Sequence, residues 1–345
     1  MSPVISVLMA VRNGDKYLIE AVESIQKQRY SDIEFIIIND GSTDQTKEIL
    51  RSKAQEDRRI SVLSNTNPLG LATSLNRGLL KCQGEFVARI DADDLAHVAR
   101  LDKQIEMFRK NDQLVLLGSN AVYVDANGAE YGWSKLVESD WSIRCLFPLI
   151  NPLIHSSTMF RMSTVRNNNI MYDENYETAQ DYELWGRLIA HGLCANLSQR
   201  LIKLRLHSES LSHLKKELRM QNGIEVQQNY LKELFGGGDQ GEAAKQRHRT
   251  RFAKQEIEIK DRPLATLNGC LYGFELLSDL ERLYPNDQFR ESYQFLVAHS
   301  VKAMLTKSWN SESHQLIKQI IGTHKVHALS SLFKYTLKGN RRIQN

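Results

Sequence analysis

Cysteine is scarce in this 345-residue chain, and the four present, Cys82, Cys145, Cys194 and Cys270, are widely scattered. They form no CxxC pair and no zinc-type spacing, which excludes a metal ribbon or a disulfide framework and leaves free thiols in a reducing compartment. Long apolar runs are lacking too. No window approaches the roughly 18 apolar residues that a membrane span requires. The N-terminus enters a strand-like run at once, with neither a basic leader nor a signal-length apolar stretch. The expectation is a cytoplasmic protein, or one held on the inner face of the cytoplasmic membrane from that side. Charge of one sign is not in large excess: the formal net charge is +4, so bulk charge does not point to a nucleic-acid partner. Several enzyme signatures are also missing. No GxGxxG follows the first strand-like run, and GxxxxGK[ST], GxSxG and HExxH do not occur. Those absences remove the main signals of dehydrogenases, P-loop NTPases, serine hydrolases and zincins.

What is present is a regular alternation. VISVLMAV at 4–11, EFIII at 34–38, ISVL at 60–63 and EFVARI at 85–90 read as short buried strands, and helical spacing fills the gaps between them. The segment 16–28 places Leu18, Ala21, Val22 and Ile25 on one helix face, and Thr43 or Asp44 can cap a helix running to about 56. Strands alternating with helices imply an α/β fold with a parallel sheet covered on both faces. Further on, a helix is expected at 100–111, a strand at 114–124, a short helix at 140–147, a helix at 178–191 and a short strand at 201–206. From about 213 the texture becomes Leu-, Lys-, Glu- and Gln-rich at helical spacing, so the expected division is a catalytic domain over 1–212 and a helical region over 213–345. The stretch from Ser313 onward carries Lys318, Lys325, Lys334, Lys338, Arg341 and Arg342 with no acidic residue, and Leu329, Leu332, Phe333 and Leu337 give it an apolar face. It fits an anionic membrane surface, or equally a solvated helix packed on the rest of the chain.

The chemistry-bearing residues lie at strand ends, where open α/β sheets bind their ligands. Asp91-Ala92-Asp93-Asp94 follows the fourth strand. Three carboxylates in four positions repel one another unless a cation or solvent compensates them, and carboxylate with phosphate oxygens suits Mg²⁺ or Mn²⁺. The plainer alternative is an acidic turn capping the helix that follows. Asp40-Gly41-Ser42 ends the second strand, as a simple turn or as a contact to a base or ribose. Asp181 stands at a helix start, stabilised by the helix dipole or poised as a general base. His207 follows a short strand in a polar loop, as a structural imidazole or as a metal or phosphate ligand.

The ordered set ISVLMAVRNGDKYLIEAVESI, FIIINDGSTDQT, NPLGLATSLNRGL, GEFVARIDADD, ETAQDYELWGRL and RLHSESLS, spread over about 4–212, resembles the inverting glycosyltransferases of family 2, bacterial O-antigen and capsule enzymes among them. The resemblance implies the GT-A fold, a Rossmann-like, mostly parallel sheet flanked by helices, here with a C-terminal helical appendage. It implies a hexosyltransferase taking its sugar from a UDP-sugar, UDP-glucose or UDP-galactose being favoured, with Mn²⁺ or Mg²⁺. The implied acceptor is a glycan or polyprenyl-diphosphate-linked GlcNAc or GalNAc. By position, Asp40 would contact the uracil or ribose, Asp91 the ribose and the metal shell, Asp93 the metal directly, and His207 the metal or diphosphate. Asp181 would be the base. Ala10, Val11, Arg12 and Asn13 would line the nucleoside pocket, with Ala92 beside it. Arg89, Arg100 and Asp94 would support the cluster from behind, and Gln180 would stand on the acceptor side. Relatives often read PTYN at 10–13 and Glu-Asp at 180–181, so this chain departs from the pattern at both places. Sugar nucleotidyltransferases and non-catalytic nucleotide-sugar binders are the competing classes. The first usually shows a Gly-rich basic N-terminal loop, which Arg12-Asn13-Gly14 matches poorly.

Overall fold

A computed structural model describes residues 3–208, 210 and 214–234. Seven consecutive buried residues, Ile5–Val11, form β1, and such a strand must be covered on both faces. It lies between parallel neighbours, β2 (Ile33–Asn39) on one side and β4 (Phe86–Arg89) on the other, with β3 (Ile60–Ser64) outside β2. The chain thus reverses its direction of growth at β1, and the carboxyl ends of β1, β2 and β4 open onto one crevice.

Helices α1 (Asp15–Gln26), α2 (Thr46–Glu56) and α3 (Leu71–Leu79) connect these strands. The expected face of α1 is the buried one: Leu18, Ala21, Val22 and Ile25 are fully buried. Gly78 lets α3 approach the sheet closely, since a Cβ there would lie 2.2 Å from Leu8 Cδ1. One acidic side chain ties two helices together at their starts. Asp44 accepts the backbone N–H of Thr46 at 3.0 Å and that of Asp15 at 3.1 Å, so it serves α1 as well as the α2 expected from the sequence.

Beyond β4 the sheet turns mixed. Its order is β3-β2-β1-β4-β8-β6-β9-β5, with β7 paired to β6 off that path. The added strands are β5 (Leu95–Ala96), β6 (Leu114–Val124), β7 (Glu130–Trp133), β8 (Met159–Arg161) and β9 (Leu193–Arg205). β8 runs antiparallel between β4 and β6, whereas β6 and β9 run parallel to each other. α4 (Arg100–Lys110), α5 (Asp140–Leu146), α6 (Met162–Asn167) and α7 (Gln180–Ile189) complete this half. The last strand is longer than expected, starting at Leu193 rather than 201.

α8 (Lys216–Leu234) opens the region expected to be an appendage. It packs on the catalytic half: Tyr230 meets Phe147 with ring centroids 4.5 Å apart, and Asn222 donates to the Thr178 carbonyl at 3.0 Å. A boundary at 212/213 therefore cuts ahead of a helix whose Val226 and Leu231 are buried. Residues 235–345, including the basic stretch from 313, lie outside the described residues. Among the described residues no helix is long and apolar enough to cross a membrane.

Candidate active site

Two loops laced together form the rim of the crevice at the ends of β1 and β2. Asn13, in the left-handed region at φ +50°, donates its N–H to Ser42 Oγ at 3.0 Å and accepts the N–H of Thr43 at 2.9 Å. Gly41 takes φ +63°, and a Cβ there would sit 2.7 Å from the Pro68 nitrogen, so this turn requires glycine. Ala10 and Val11 are buried strand residues beneath the rim, while Arg12 and Asn13 are exposed upon it. Asp40 faces inward. Its carboxylate accepts from Asn65 Nδ2 and from the N–H groups of Leu69 at 2.7 Å and Gly70 at 2.9 Å. Those oxygens hold the 67–70 loop against the end of β2.

The acidic cluster separates into three environments. Asp91 ion-pairs with the buried Arg89 and accepts from Ser156 Oγ at 2.8 Å, while its own N–H donates to the same hydroxyl at 2.9 Å. Burial alone would raise its pKa, but the Arg89 guanidinium and the Ser156 hydroxyl outweigh it and hold the carboxyl below the usual range. Asp93 Oδ2 lies 2.9 Å from His207 Nε2. Burial, then the charge of Asp91, raises its pKa against the pull of His207. Asp94 is 1% exposed and accepts the Arg205 N–H at 2.8 Å, while its Oδ2 has no partner among the described residues. Burial and the neighbouring carboxylates push its pKa well up. The cap expected of Asp94 is not there, because β5 intervenes and α4 starts only at Arg100.

Of the two flanking arginines, Arg89 pairs with the cluster directly and Arg100 does not. Arg100 Nη2 donates to the carbonyls of Arg89 at 2.7 Å and Thr158 at 3.0 Å, and Nε donates to Gln104 at 3.0 Å. Burial and the nearby Arg89 charge pull its pKa down to about 9. Ala92 is half-buried between the two outer aspartates.

On the other side of the crevice, Asp181 is the second residue of α7. Ala179 before it is a non-glycine residue at φ +59°, a conformation that costs about 1–2 kcal/mol and clusters at working sites. Asn151 Nδ2 donates to Asp181 Oδ2 at 3.0 Å. Burial raises the Asp181 pKa, the backbone N–H of Tyr182 and Asn151 oppose this, and the Asp91 charge adds to the rise. Gln180 is 5% exposed, and its Oε1 has no partner among the described residues.

The segment that joins the two sides was absent from the sequence reading. Residues 151–157 (NPLIHSS) hold Asp181 through Asn151 and Asp91 through Ser156. His155, 2.9 Å from the Tyr172 hydroxyl, is kept neutral by burial and by Arg89, its pKa pulled down to about 3. Arg205 was missed as well. It donates to the Asp93 carbonyl at 3.0 Å and to Glu20 at 2.9 Å, and lies 4.4 Å over the Tyr17 ring, which also neighbours His207.

The arrangement was tested against known proteins. The family model described as glycosyl transferase family 2 matches residues 6–173. A glycosyltransferase of Haemophilus influenzae, itself without an assigned activity, is 33% identical over 220 residues, covering 61% of this chain and 68% of the relative. The chain belongs to glycosyl transferase family 2. The Escherichia coli O-antigen biosynthesis glycosyltransferase WbnJ is 32% identical over 213 residues, 60% of this chain and 81% of WbnJ. Staphylococcus aureus TarS, solved with UDP-GlcNAc, superposes with a TM-score of 0.58 at 18% identity, covering 90% of this chain and 93% of that one. The mannosyltransferase PcManGT of Pyrobaculum calidifontis, solved with GDP-Man and Mn²⁺, does so at 0.51 and 13% identity, over 90% and 88%. These likenesses establish the GT-A fold.

The donor set also fits a divalent cation. Among the described residues no three His, Cys, Asp or Glu side chains form a protein-only cage. Asp93 and His207 nevertheless offer an oxygen and a nitrogen 2.9 Å apart, and the second imidazole nitrogen has no partner there. Mg²⁺ and Mn²⁺ sites commonly use one or two protein ligands and take the rest from substrate phosphates and water. Asp91 is the weaker ligand, because Arg89 already neutralises it.

Proposed function

We propose that this family 2 member is an inverting, metal-dependent hexosyltransferase. Its donor would be a UDP-sugar, UDP-glucose or UDP-galactose first. Its acceptor would be a glycan hydroxyl, with polyprenyl-diphosphate-linked GlcNAc or GalNAc the leading candidate and a β-linkage the product. The observation that carries the reading is the pairing of unlike carboxylates across one crevice. The Arg89 guanidinium holds the Asp91 carboxyl below its ordinary range, while Asp181 is half-buried, has no ion pair among the described residues, and is pushed above the ordinary carboxyl value by desolvation. Carboxylates driven apart in this way mark an acid–base division of labour.

Asp181 would take the proton of the acceptor hydroxyl, whose oxygen then attacks the anomeric carbon from the side opposite the diphosphate. A base whose pKa is raised toward the working pH transfers protons more effectively than an ordinary carboxylate. Asp93 and His207 would hold Mn²⁺ or Mg²⁺, which supplies positive charge against the departing diphosphate. The rim at 10–13 and the 67–70 loop, fixed by Asp40, would shape the nucleoside pocket. The TarS complex supports uridine, WbnJ supports a surface-glycan acceptor and the PcManGT complex supports the metal, each by likeness alone.

The test is Asp181→Asn in a transfer assay with Mn²⁺. Loss of turnover by about 10²–10⁴-fold with UDP binding retained is expected. Near-normal turnover would remove Asp181 as the base. Calorimetry of UDP with Mn²⁺ on Asp93→Ala checks the metal pair, and unchanged affinity would refute it. The basic stretch from 313 is proposed to bring the enzyme to an anionic membrane surface, where a lipid-linked acceptor resides. Flotation with liposomes, with and without 313–345, decides that part.

A further inference from the structure

We infer that Asn151 is a positioning residue for the base: it fixes which Asp181 oxygen faces the acceptor and keeps that carboxylate ionised. The inference rests on Asp181 being the base. Asn151 is held in one orientation from both ends. Its Oδ1 accepts the Leu153 N–H at 3.2 Å, so the amide must turn its Nδ2 toward Asp181 Oδ2, 3.0 Å away. A flipped amide would set oxygen against carboxylate and amino group against N–H. The backbone beneath it is constrained as well. Asn151 precedes Pro152, which restricts it to extended conformations. The buried Asn196 of β9 donates to the carbonyls of Pro152 at 3.0 Å and Val137 at 2.9 Å. A chain of contacts therefore runs from β9 through Asn196 and Pro152 to Asn151 and the base.

With Oδ2 engaged by the amide, Oδ1 is the oxygen available to an acceptor hydroxyl. The groups facing Asp181 are few. The Tyr182 N–H and Asn151 favour the anion, while burial and the charge of Asp91 oppose it. Tyr172 and Tyr182 feel the charge of Asp181 in turn, and their hydroxyls stay neutral, Tyr172 pushed up beyond the normal phenol range. Removing the amide donor removes the side-chain support of the ionised base and leaves the backbone N–H groups of Tyr182 and Asp181 itself.

The pH dependence of kcat on the full chain tests this, with three variants. Asn151→Ala should move the acidic limb upward by about one pH unit, the loss of one hydrogen bond to a charged group. Asn151→Asp is nearly isosteric and keeps the Leu153 contact, but it sets a second carboxylate on Asp181, so its limb should move further than that of Asn151→Ala. Asn151→Gln, which retains the amide donor, should leave the limb closer to the parent than either. UDP affinity should be unchanged in all three. A limb in Asn151→Asp that coincides with the parent's overturns the inference, and so does one that moves less than in Asn151→Ala. If Asn151→Ala does not fold, the Asp and Gln variants still decide it. Asp181→Asn, run alongside, separates the two ideas: turnover retained there sinks the base itself. Turnover lost there, with Asn151 limbs unmoved, sinks only the positioning role.

Discussion

Arg89 and Asp91 form an ion pair whose two halves are unequally buried, and that asymmetry predicts which half is costlier to remove. The Arg89 side chain is 0% exposed and that of Asp91 is 30% exposed. Arg89 also lies close enough to the buried Arg100 for its charge to depress the Arg100 pKa. Truncating Asp91 thus leaves two interior guanidinium groups near each other, with the Asp94 charge acting on Arg100. Breaking a buried pair from one side costs about 3–5 kcal/mol, and Asp91→Ala belongs at the upper end of that range. Arg89→Met leaves a carboxylate that water can reach and that still accepts from Ser156, so a lower cost of about 2 kcal/mol is expected. For a unit of this size, 1 kcal/mol corresponds to roughly 2–4 °C in melting temperature. Asp91→Ala should melt about 10–20 °C below the parent and Arg89→Met about 4–8 °C below it. The double variant Arg89→Met/Asp91→Ala removes both charges and should melt above Asp91→Ala alone. Thermal unfolding of the full chain at neutral pH, followed by near-UV circular dichroism, measures all three. A double variant that melts below Asp91→Ala, or an Arg89→Met that costs more than Asp91→Ala, would refute the reasoning.

Asp94 gives a pH-dependent counterpart. A carboxyl whose pKa is raised by folding contributes stability below its unfolded value of about 4, and loses it as pH rises through the folded value. Since the Asp94 pKa is pushed well up, Asp94→Asn should flatten the decline in stability above about pH 4 in metal-free buffer. A pH–stability curve parallel to the parent's would count against it. Ala179→Gly relieves a left-handed alanine and should raise the melting temperature by roughly 2–4 °C while lowering kcat, because Asp181 lies two residues on in the first turn of α7. A destabilised variant with unchanged kcat would contradict both halves. Arg205→Ala strips the buried donor from the Asp93 carbonyl and should cost about 2–3 kcal/mol by urea unfolding, with Arg205→Lys restoring little because an ammonium cannot make the guanidinium fork.

The parts of this molecule that were legible in the sequence are those that repeat locally. β1, β2 and β4 are largely apolar runs because a strand inside a parallel sheet is covered on both faces, and α1 carries a clean 3.6-residue face. Strand ends then pointed to Asp40, Asp91 and Asp93, and a helix start to Asp181. The remainder was hidden for definite reasons. β5 has two residues and β8 has three, too few for any period to show. Asp94 has the look of a cap because an acidic residue precedes a helix, yet Leu95 and Ala96 pair with Ile202 and Lys203 before that helix begins. Asn151 and Ser156 act on carboxylates 30 and 65 positions away, a relation that no local spacing encodes.

The 151–157 segment also explains why the two carboxylates differ although one loop touches both. Each receives one neutral donor from it, Ser156 for Asp91 and Asn151 for Asp181. What separates them is Arg89, which reaches Asp91 and does not pair with Asp181. A hydroxyl or an amide lowers a buried carboxyl pKa modestly, whereas a guanidinium in contact supplies a full opposite charge. The loop therefore supplies one donor to each carboxylate, and the buried Arg89 is the largest influence that sets the lowered pKa of Asp91 apart from the raised pKa of Asp181.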